Sequence, residues 1–234
     1  MDKGGEIMIT LYSGTPGSGK SFHATVLGLK FLSKGKSLIT NYPLKIDKKK
    51  YKGNYFYMPN EDITVKNLLS MSLKYGFLGK ESSCLLIIDE AGCKFNSREY
   101  NSKDRMSWIE FFSQHRKIGF DIVMVAQNDR MIDRQIRALF EYEVKHRKLN
   151  NILEWLIIPI PIFVCVEYYY GMGLKIGSYF MLFNKRIPRL YDSMMIFNNY
   201  KLGSLLESLK EGKDYDYGNV AIDAVINKNE GKAV

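Results

Sequence analysis

The sequence predicts an α/β chain with a mainly parallel central sheet, helices on both faces, and extra β segments toward the C-terminal side. Three observations predict it. "GTPGSGKS", residues 14–21, is a glycine loop set between an apolar strand and a helix of apolar period. "LLIIDEAG", residues 85–92, brings a continuously apolar strand to an acidic end. Around these two stretches, strand-like runs alternate with helical ones, the order that produces parallel strands with crossover helices. A strand covered on both faces has no polar side, so its apolar run is unbroken.

"IMITLY", residues 7–12, is the strand that enters the glycine loop, and a helix runs from Lys20 through "SFHATVLGLKFLSK" to Gly35. "SLITNYPL", residues 37–44, is a second strand, leaving through Pro43. The basic loop "DKKKYKGN" leads to "YFYM", residues 55–58, a short edge strand. "PNEDI" then introduces the amphipathic helix "TVKNLLSMSLKYG". "CLLIID", residues 84–89, is a buried strand, and "FNSREYNSKDR" a polar loop. "MSWIEFFSQHRKIG", residues 106–119, is a helix closing at Gly119, "FDIVMVAQ", residues 120–127, a strand, and "RMIDRQIRALFE", residues 130–141, a helix. Beyond 141 the β segments "YEVKHRKLN", "FVCVEYYYG" and "GSYFMLFNKR" extend the sheet with antiparallel or edge strands. "GSLLESLKEGK", residues 203–213, is a short amphipathic helix. With no internal repeat or low-complexity linker, the chain reads as one domain, 1–213, followed by a loosely packed tail, 214–234.

Composition narrows the classes of function. The chain has 234 residues, 46% hydrophobic and 25% charged, enough for a filled core. A net charge of +9 favours anionic partners, nucleic acid or anionic lipid, without choosing between them. Three cysteines without CxxC spacing point to a reduced, cytosolic setting. His23, His115 and His146 are scattered along the chain, so no structural metal is expected. The N-terminus does not read as a signal peptide. The most apolar stretch, "ILEWLIIPIPIFVCV" at 152–166, holds Glu154, Pro159 and Pro161 and is shorter than the roughly 20 residues of a membrane span. It reads as a turn feeding a buried strand.

The chemistry sits in the first two motifs. "GTPGSGKS" satisfies G-x-x-x-x-G-K-[ST], the P-loop. Gly14, Gly17 and Gly19 let the backbone turn and aim its N–H groups at phosphate oxygens. Lys20 reaches the β- and γ-phosphates of ATP, and Ser21 offers its hydroxyl to Mg²⁺. The predicted nucleotide-binding set is Gly14, Thr15, Pro16, Gly17, Ser18, Gly19, Lys20, Ser21 and Phe22. Asp89 supports Mg²⁺ and Glu90 polarises the attacking water as general base.

Along the chain the strand "SLITN" falls between the loop and the acid. That interposed strand and the Glu after the Asp mark the motor-like branch of P-loop ATPases rather than small-molecule kinases. Gln127 ends the next strand and senses the γ-phosphate or lytic water. A catalytic arginine is sought at Arg116 or Arg98. Arg130, Arg134 and Arg137, interleaved with Asp129 and Asp133, read as a salt-bridged face. Lys48, Lys49, Lys50 and Lys52 beside Tyr51 and Tyr55, and the run Lys145, His146, Arg147, Lys148, are candidate nucleic-acid contacts, with solvated charge as the plainer reading.

With these residues in hand, "LYSGTPGSGKS", "LITNYPL", "LLIIDEAGCKFNSR" and "FFSQHRKIGFDIVMVAQNDRMIDRQIRALFE" resemble the zonula occludens toxin (Zot-like) family, which includes the gene I assembly ATPases of filamentous phages. The similarity covers roughly residues 7–145, and the run from His115 to Gln127 is its most specific part. The resemblance implies an FtsK–HerA-like fold and a homo-oligomeric ring at the cytoplasmic face of the host inner membrane. It also implies a role in extruding single-stranded DNA virions, with phage DNA or virion components as partners. It makes Arg116 the best finger candidate. Family members usually continue into a transmembrane helix, and no spanning segment is read here. The alternatives are a fragment, a separate membrane partner, or a DNA-packaging role. A nucleotide-gated interaction module with little turnover is the rival from another class.

Overall fold

A computed structural model describes residues 8–47, 49–96, 102–149 and 161–190. These residues lie within one compact unit, Met1–Asp192. Chain order gives β1 (Ile9–Ser13), α1 (Lys20–Ser33), β2 (Ser37–Thr40), β3 (Tyr55–Tyr57), α2 (Val65–Tyr75), β4 (Cys84–Ile88), α3 (Ala91–Lys94), α4 (Ser102–Ser113), β5 (Phe120–Val125), α5 (Arg134–Arg137), β6 (Tyr142–Lys148), β7 (Ile162–Tyr169) and β8 (Lys175–Leu182). The predicted helix at 203–213 and tail at 214–234 lie outside the described residues, as do residues 152–160 of the apolar stretch.

Among the described residues the strands form one sheet in the order β3-β2-β4-β5-β1-β6-β7-β8. From β3 to β6 every pairing is parallel, and β6-β7 and β7-β8 are antiparallel. β1, β2, β4 and β5 are buried along their whole length; β4 is apolar throughout, and the others bury Thr10, Ser13, Ser37, Thr40 and Asp121 among their apolar residues. Successive side chains then serve two different layers. Leu38 and Ile87 meet α1 at Gly28. Ile39, Leu86 and Ile88 join a core with Phe95, Trp108, Phe111 and Phe112 on the other face. That second layer is an aromatic stack, with Trp108 and Phe112 ring centroids 5.3 Å apart and Phe95 edge-on to both.

The spatial order corrects the strand bookkeeping. β2 precedes β4 in sequence but lies on the far side of β4 from β1. The strand interposed between the P-loop strand and the acid strand is β5, the one that ends at Gln127.

Two helices also differ from expectation. α4 starts at Ser102, inside the polar loop, and ends at Ser113; turns carry the chain on to Gly119. The helix expected over 130–141 is broken. The Asn128 side chain accepts from the Arg130 N–H, and the Asp133 side chain accepts from the Gln135 N–H. Each side chain restarts the chain at its own cap, so a 3₁₀ turn and a four-residue helix replace one continuous helix. β6 is parallel to β1, and the antiparallel extension begins only with β7.

Replacing Phe112 with Ala removes a ring that is 1% exposed and should cost about 3–5 kcal/mol. Urea unfolding should show a lower midpoint with an unchanged slope.

Candidate functional site

β1 delivers the chain to Gly14 and α1 takes it up at Lys20, which folds the intervening residues over a helix N-terminus. Gly14, Gly17 and Gly19 have φ of 141°, 73° and 91°, values that side chains disfavour. Space demands glycine at two of them. A Cβ on Gly14 would run into the carbonyl oxygen of His146 in β6, and one on Gly19 would lie 2.8 Å from the Phe163 ring of β7. α1 has no side-chain cap and no acid in its first turn. Its leading N–H groups and the positive end of its dipole are therefore available to an anion in the loop.

Lys20 is 8% exposed and donates Nζ to the carbonyls of Gly14, at 2.8 Å, and Thr15, at 3.0 Å. Burial lowers its pKa, and the charges of Asp89 and Glu90 oppose that shift. Asp89, just past β4, is buried. Burial raises its pKa; hydrogen bonds from the Ser21 hydroxyl and the Glu90 N–H, and the Lys20 charge, act the other way. Glu90 is half-buried; its carboxyl is raised by burial first and Asp89 second. Its backbone is left-handed, φ 50° and ψ 45°, which costs a residue with a Cβ about 1–2 kcal/mol.

One supporting residue escaped the sequence reading. Asn41, at the end of β2, donates Nδ2 to the Asp89 carbonyl and accepts the Asp89 N–H on Oδ1, both at 2.7 Å. The same Nδ2 reaches Asn60 at 2.9 Å. The available signal was a polar residue closing the apolar run "SLIT".

Because β5 lies between β1 and β4, Gln127 emerges between the phosphate loop and the acids. Its carbonyl accepts the Gly14 N–H at 3.3 Å, and the residue is exposed. Ser21 and Asp89, already in hydrogen-bond contact, are hard oxygen donors beside the loop. That donor set fits Mg²⁺.

Other candidates lie elsewhere. The Phe22 ring is buried against Phe163 and Phe183, so this residue offers the loop only its backbone. Arg116 precedes β5 and therefore stands at the opposite end of the sheet from the loop, roughly 20 Å away at the ordinary rise of a six-residue strand. It pairs with Glu81 at 3.0 Å. Arg98 lies outside the described residues. Arg137 pairs with Asp129 at 3.4 Å, and Asp133 with Arg105 at 3.7 Å.

The basic stretches separate as well. Lys49, Lys50 and Lys52 are exposed, and Lys48 lies outside the described residues. Tyr55 is not offered as a stacking surface. Its hydroxyl accepts from the Leu44 N–H and donates to the Tyr42 carbonyl, closing the loop after β2. In β6, Lys145 and Arg147 are exposed, whereas His146 is 1% exposed and turns inward. Burial lowers the His146 pKa to about 4. Tyr169 packs on Tyr142, and the Tyr170 hydroxyl donates to Asp129 at 3.0 Å, both packing roles. The histidines are scattered only in sequence: His23 and His146 meet at 2.9 Å beside Cys165.

A family model described as zonular occludens toxin (Zot) matches residues 8–194. The Gene 1 protein of Enterobacteria phage fd is 29% identical over 146 residues, 60% of this chain and 42% of that protein. The Gene 1 protein of Escherichia phage If1 is 30% identical over 150 residues, 62% of this chain and 42% of that protein. The chain thus spans about two fifths of the length of these relatives. Among solved structures, the N-terminal domain of zonular occludens toxin from Neisseria meningitidis superposes with a TM-score of 0.54 at 19% identity, covering 80% of this chain and 100% of that one. A DnaB-like replicative helicase superposes at 0.55 with 11% identity, over 77% of this chain and 57% of the helicase chain. These likenesses establish the P-loop NTPase fold.

Replacing Asn41 with Ala orphans the buried Asp89 N–H and should cost about 1–3 kcal/mol in chemical denaturation. Calorimetric titration should also show weaker Mg-nucleotide binding, and Lys20→Ala should abolish it.

Proposed function

The chain belongs to the zonular occludens toxin (Zot) family, and on that premise we propose that it is the ATP-hydrolysing part of a motor that powers assembly and export of a filamentous, single-stranded DNA phage. One observation carries the hydrolytic reading. Lys20 and Ser21 of the loop share a single partly buried site with Asp89 and Glu90, and the Gln127 strand ends between them.

The triphosphate lies on the loop amides and the first turn of α1. Lys20 moves from its two loop carbonyls to the β- and γ-phosphates. When bound, Mg²⁺ supplies charge neutralisation on these phosphates, with Ser21 and Asp89 as its holders. Glu90 takes the proton of the attacking water, and its raised affinity for a proton suits that task. Gln127 touches the γ-phosphate or the water and reports the loss of the former.

Arg116 stands on the edge opposite its own loop, so its catalytic role requires a neighbouring subunit. This supports a homo-oligomeric ring in which each chain completes the next one's site. The FtsK–HerA-like branch, the extent of the ATPase domain at 1–213 and a place at the cytoplasmic face of the inner membrane belong to the same proposal. No helix among the described residues is long and apolar enough to cross a membrane. A separate membrane partner, or further chain as in the longer relatives, supplies that link. The exposed cations Lys49, Lys50, Lys52, Lys145 and Arg147 favour a second reading, a DNA-translocating or packaging motor with no membrane role.

Glu90→Gln should lower turnover by about 10²–10⁴ while ATP binding persists. Ordinary turnover in that variant would overturn the hydrolytic assignment. Turnover per subunit should rise steeply with protein concentration. Arg116→Ala alone and Lys20→Ala alone should each be inactive, and mixing the two should restore activity, because the first brings an intact loop and the second an intact arginine. Stimulation by DNA in the absence of membrane would favour the packaging reading.

A further inference from the structure

Behind the phosphate loop, three side chains from three elements converge: His23 of α1, His146 of β6 and Cys165 of β7. Their candidate donor atoms lie within 4.8 Å of one another, and His23 Nδ1 is 2.9 Å from His146 Nε2. Strand register builds this cluster. His146 is directly opposite Cys165 across β6-β7, and Cys165 is directly opposite Tyr179 across β7-β8. The three form one row on one face of the sheet, and α1 lowers His23 onto that row.

We propose that His23, His146 and Cys165 form a zinc-binding site, separate from the Mg-nucleotide site.

The donor atoms are set up for it. His146 Nδ1 stands 3.2 Å from the Ser13 carbonyl, which can only accept, so Nδ1 carries the proton. That leaves the lone pair on Nε2, the nitrogen that points into the cluster. On His23, Nδ1 donates to that lone pair at 2.9 Å when no metal is bound; Zn²⁺ displaces this proton, and the neutral ring then carries its proton on Nε2, 3.4 Å from the Tyr179 hydroxyl. Each imidazole therefore has an outer partner on the nitrogen facing away from the cluster, the arrangement typical of metal-ligating histidines. The Tyr12 ring stacks on His23 with centroids 4.6 Å apart and planes 14° apart, which fixes the imidazole.

Burial pushes the Cys165 thiol up to about 12, so zinc binding releases its proton to solvent, and the resulting two imidazoles and one thiolate are a borderline-soft set. It suits Zn²⁺ and is a poor site for Mg²⁺ or Ca²⁺, which take oxygen ligands. Zn–N bonds of about 2.0–2.1 Å in tetrahedral geometry separate two nitrogens by about 3.3 Å, so the histidines need to part by only a few tenths of an ångström. Three protein ligands leave a fourth position for water. The ion would tie α1, the helix that carries Lys20 and Ser21, to the β6-β7 pair.

The test uses the whole chain, reduced and stripped with chelator. Titrated Zn²⁺ should bind at one equivalent per chain and resist excess Mg²⁺. Co²⁺ in its place should give tetrahedral visible bands and a thiolate-to-cobalt charge-transfer band. The chain has three cysteines and three histidines, so ligand identity can be settled by substitution. Cys165→Ser should lose the charge-transfer band, and Cys93→Ser, at an exposed cysteine, should keep it. His23→Asn should lower zinc affinity by more than the roughly 10- to 100-fold that loss of an outer partner costs. A parent chain without the charge-transfer band, or a band that survives Cys165→Ser, overturns the site. Should Cys165→Ser fail to fold, His23→Asn decides: unchanged zinc affinity in that variant also overturns it.

Discussion

A carboxylate withdrawn from water is the constraint on which the candidate site depends. Asp89 is 6% exposed, and a buried carboxylate is tolerable only where its charge is met by donors and a cation. Ser21 comes from the helix after the loop, the Glu90 N–H from the acid's own successor, and Lys20 from the loop's end. Asn41 holds the Asp89 backbone from a third element. The arrangement draws β1, β2 and β4 into one ionic centre. The chain leaves β4 through Glu90, whose backbone is left-handed and whose N–H meets the Asp89 carboxylate.

The sheet supplies the rest of the geometry. All the functional groups placed at the loop end follow the C-terminal ends of parallel strands, where loops of an open α/β sheet converge. β5 fills the gap between the loop strand and the acid strand, which sets Gln127 in the middle. β6 closes the other flank of the loop through the His146 carbonyl, and β7 through Phe163, so the glycines are enclosed by strands rather than by solvent.

Much of this was legible in the sequence for a physical reason. Motifs such as residues 14–21 and 85–92 encode local chemistry: φ values that side chains rarely adopt, an apolar run that must be buried, an acid at its end. Spatial order is not local. Nothing in "SLIT" says whether it lies inside or outside the acid strand, so β5 rather than β2 proved to be the interposed strand. The helix over 130–141 is broken because the apolar period is intact while Asp133 acts as a cap within it and Asn128 as one just before it. Asn41 and the cluster of His23, His146 and Cys165 were hidden because their partners are far away in sequence and meet only through strand register.

β5 has a mechanical consequence. It is paired along its length on both sides, with β4 and with β1, and its residues are all buried. Such a strand cannot stretch or bow without breaking two ladders at once, so it behaves as a tie rod. One end is anchored in the turn that carries Arg116, and the other meets the Gly14 N–H through the Gln127 carbonyl. The turn that carries Arg116 and the phosphate loop are thus joined through one doubly paired strand.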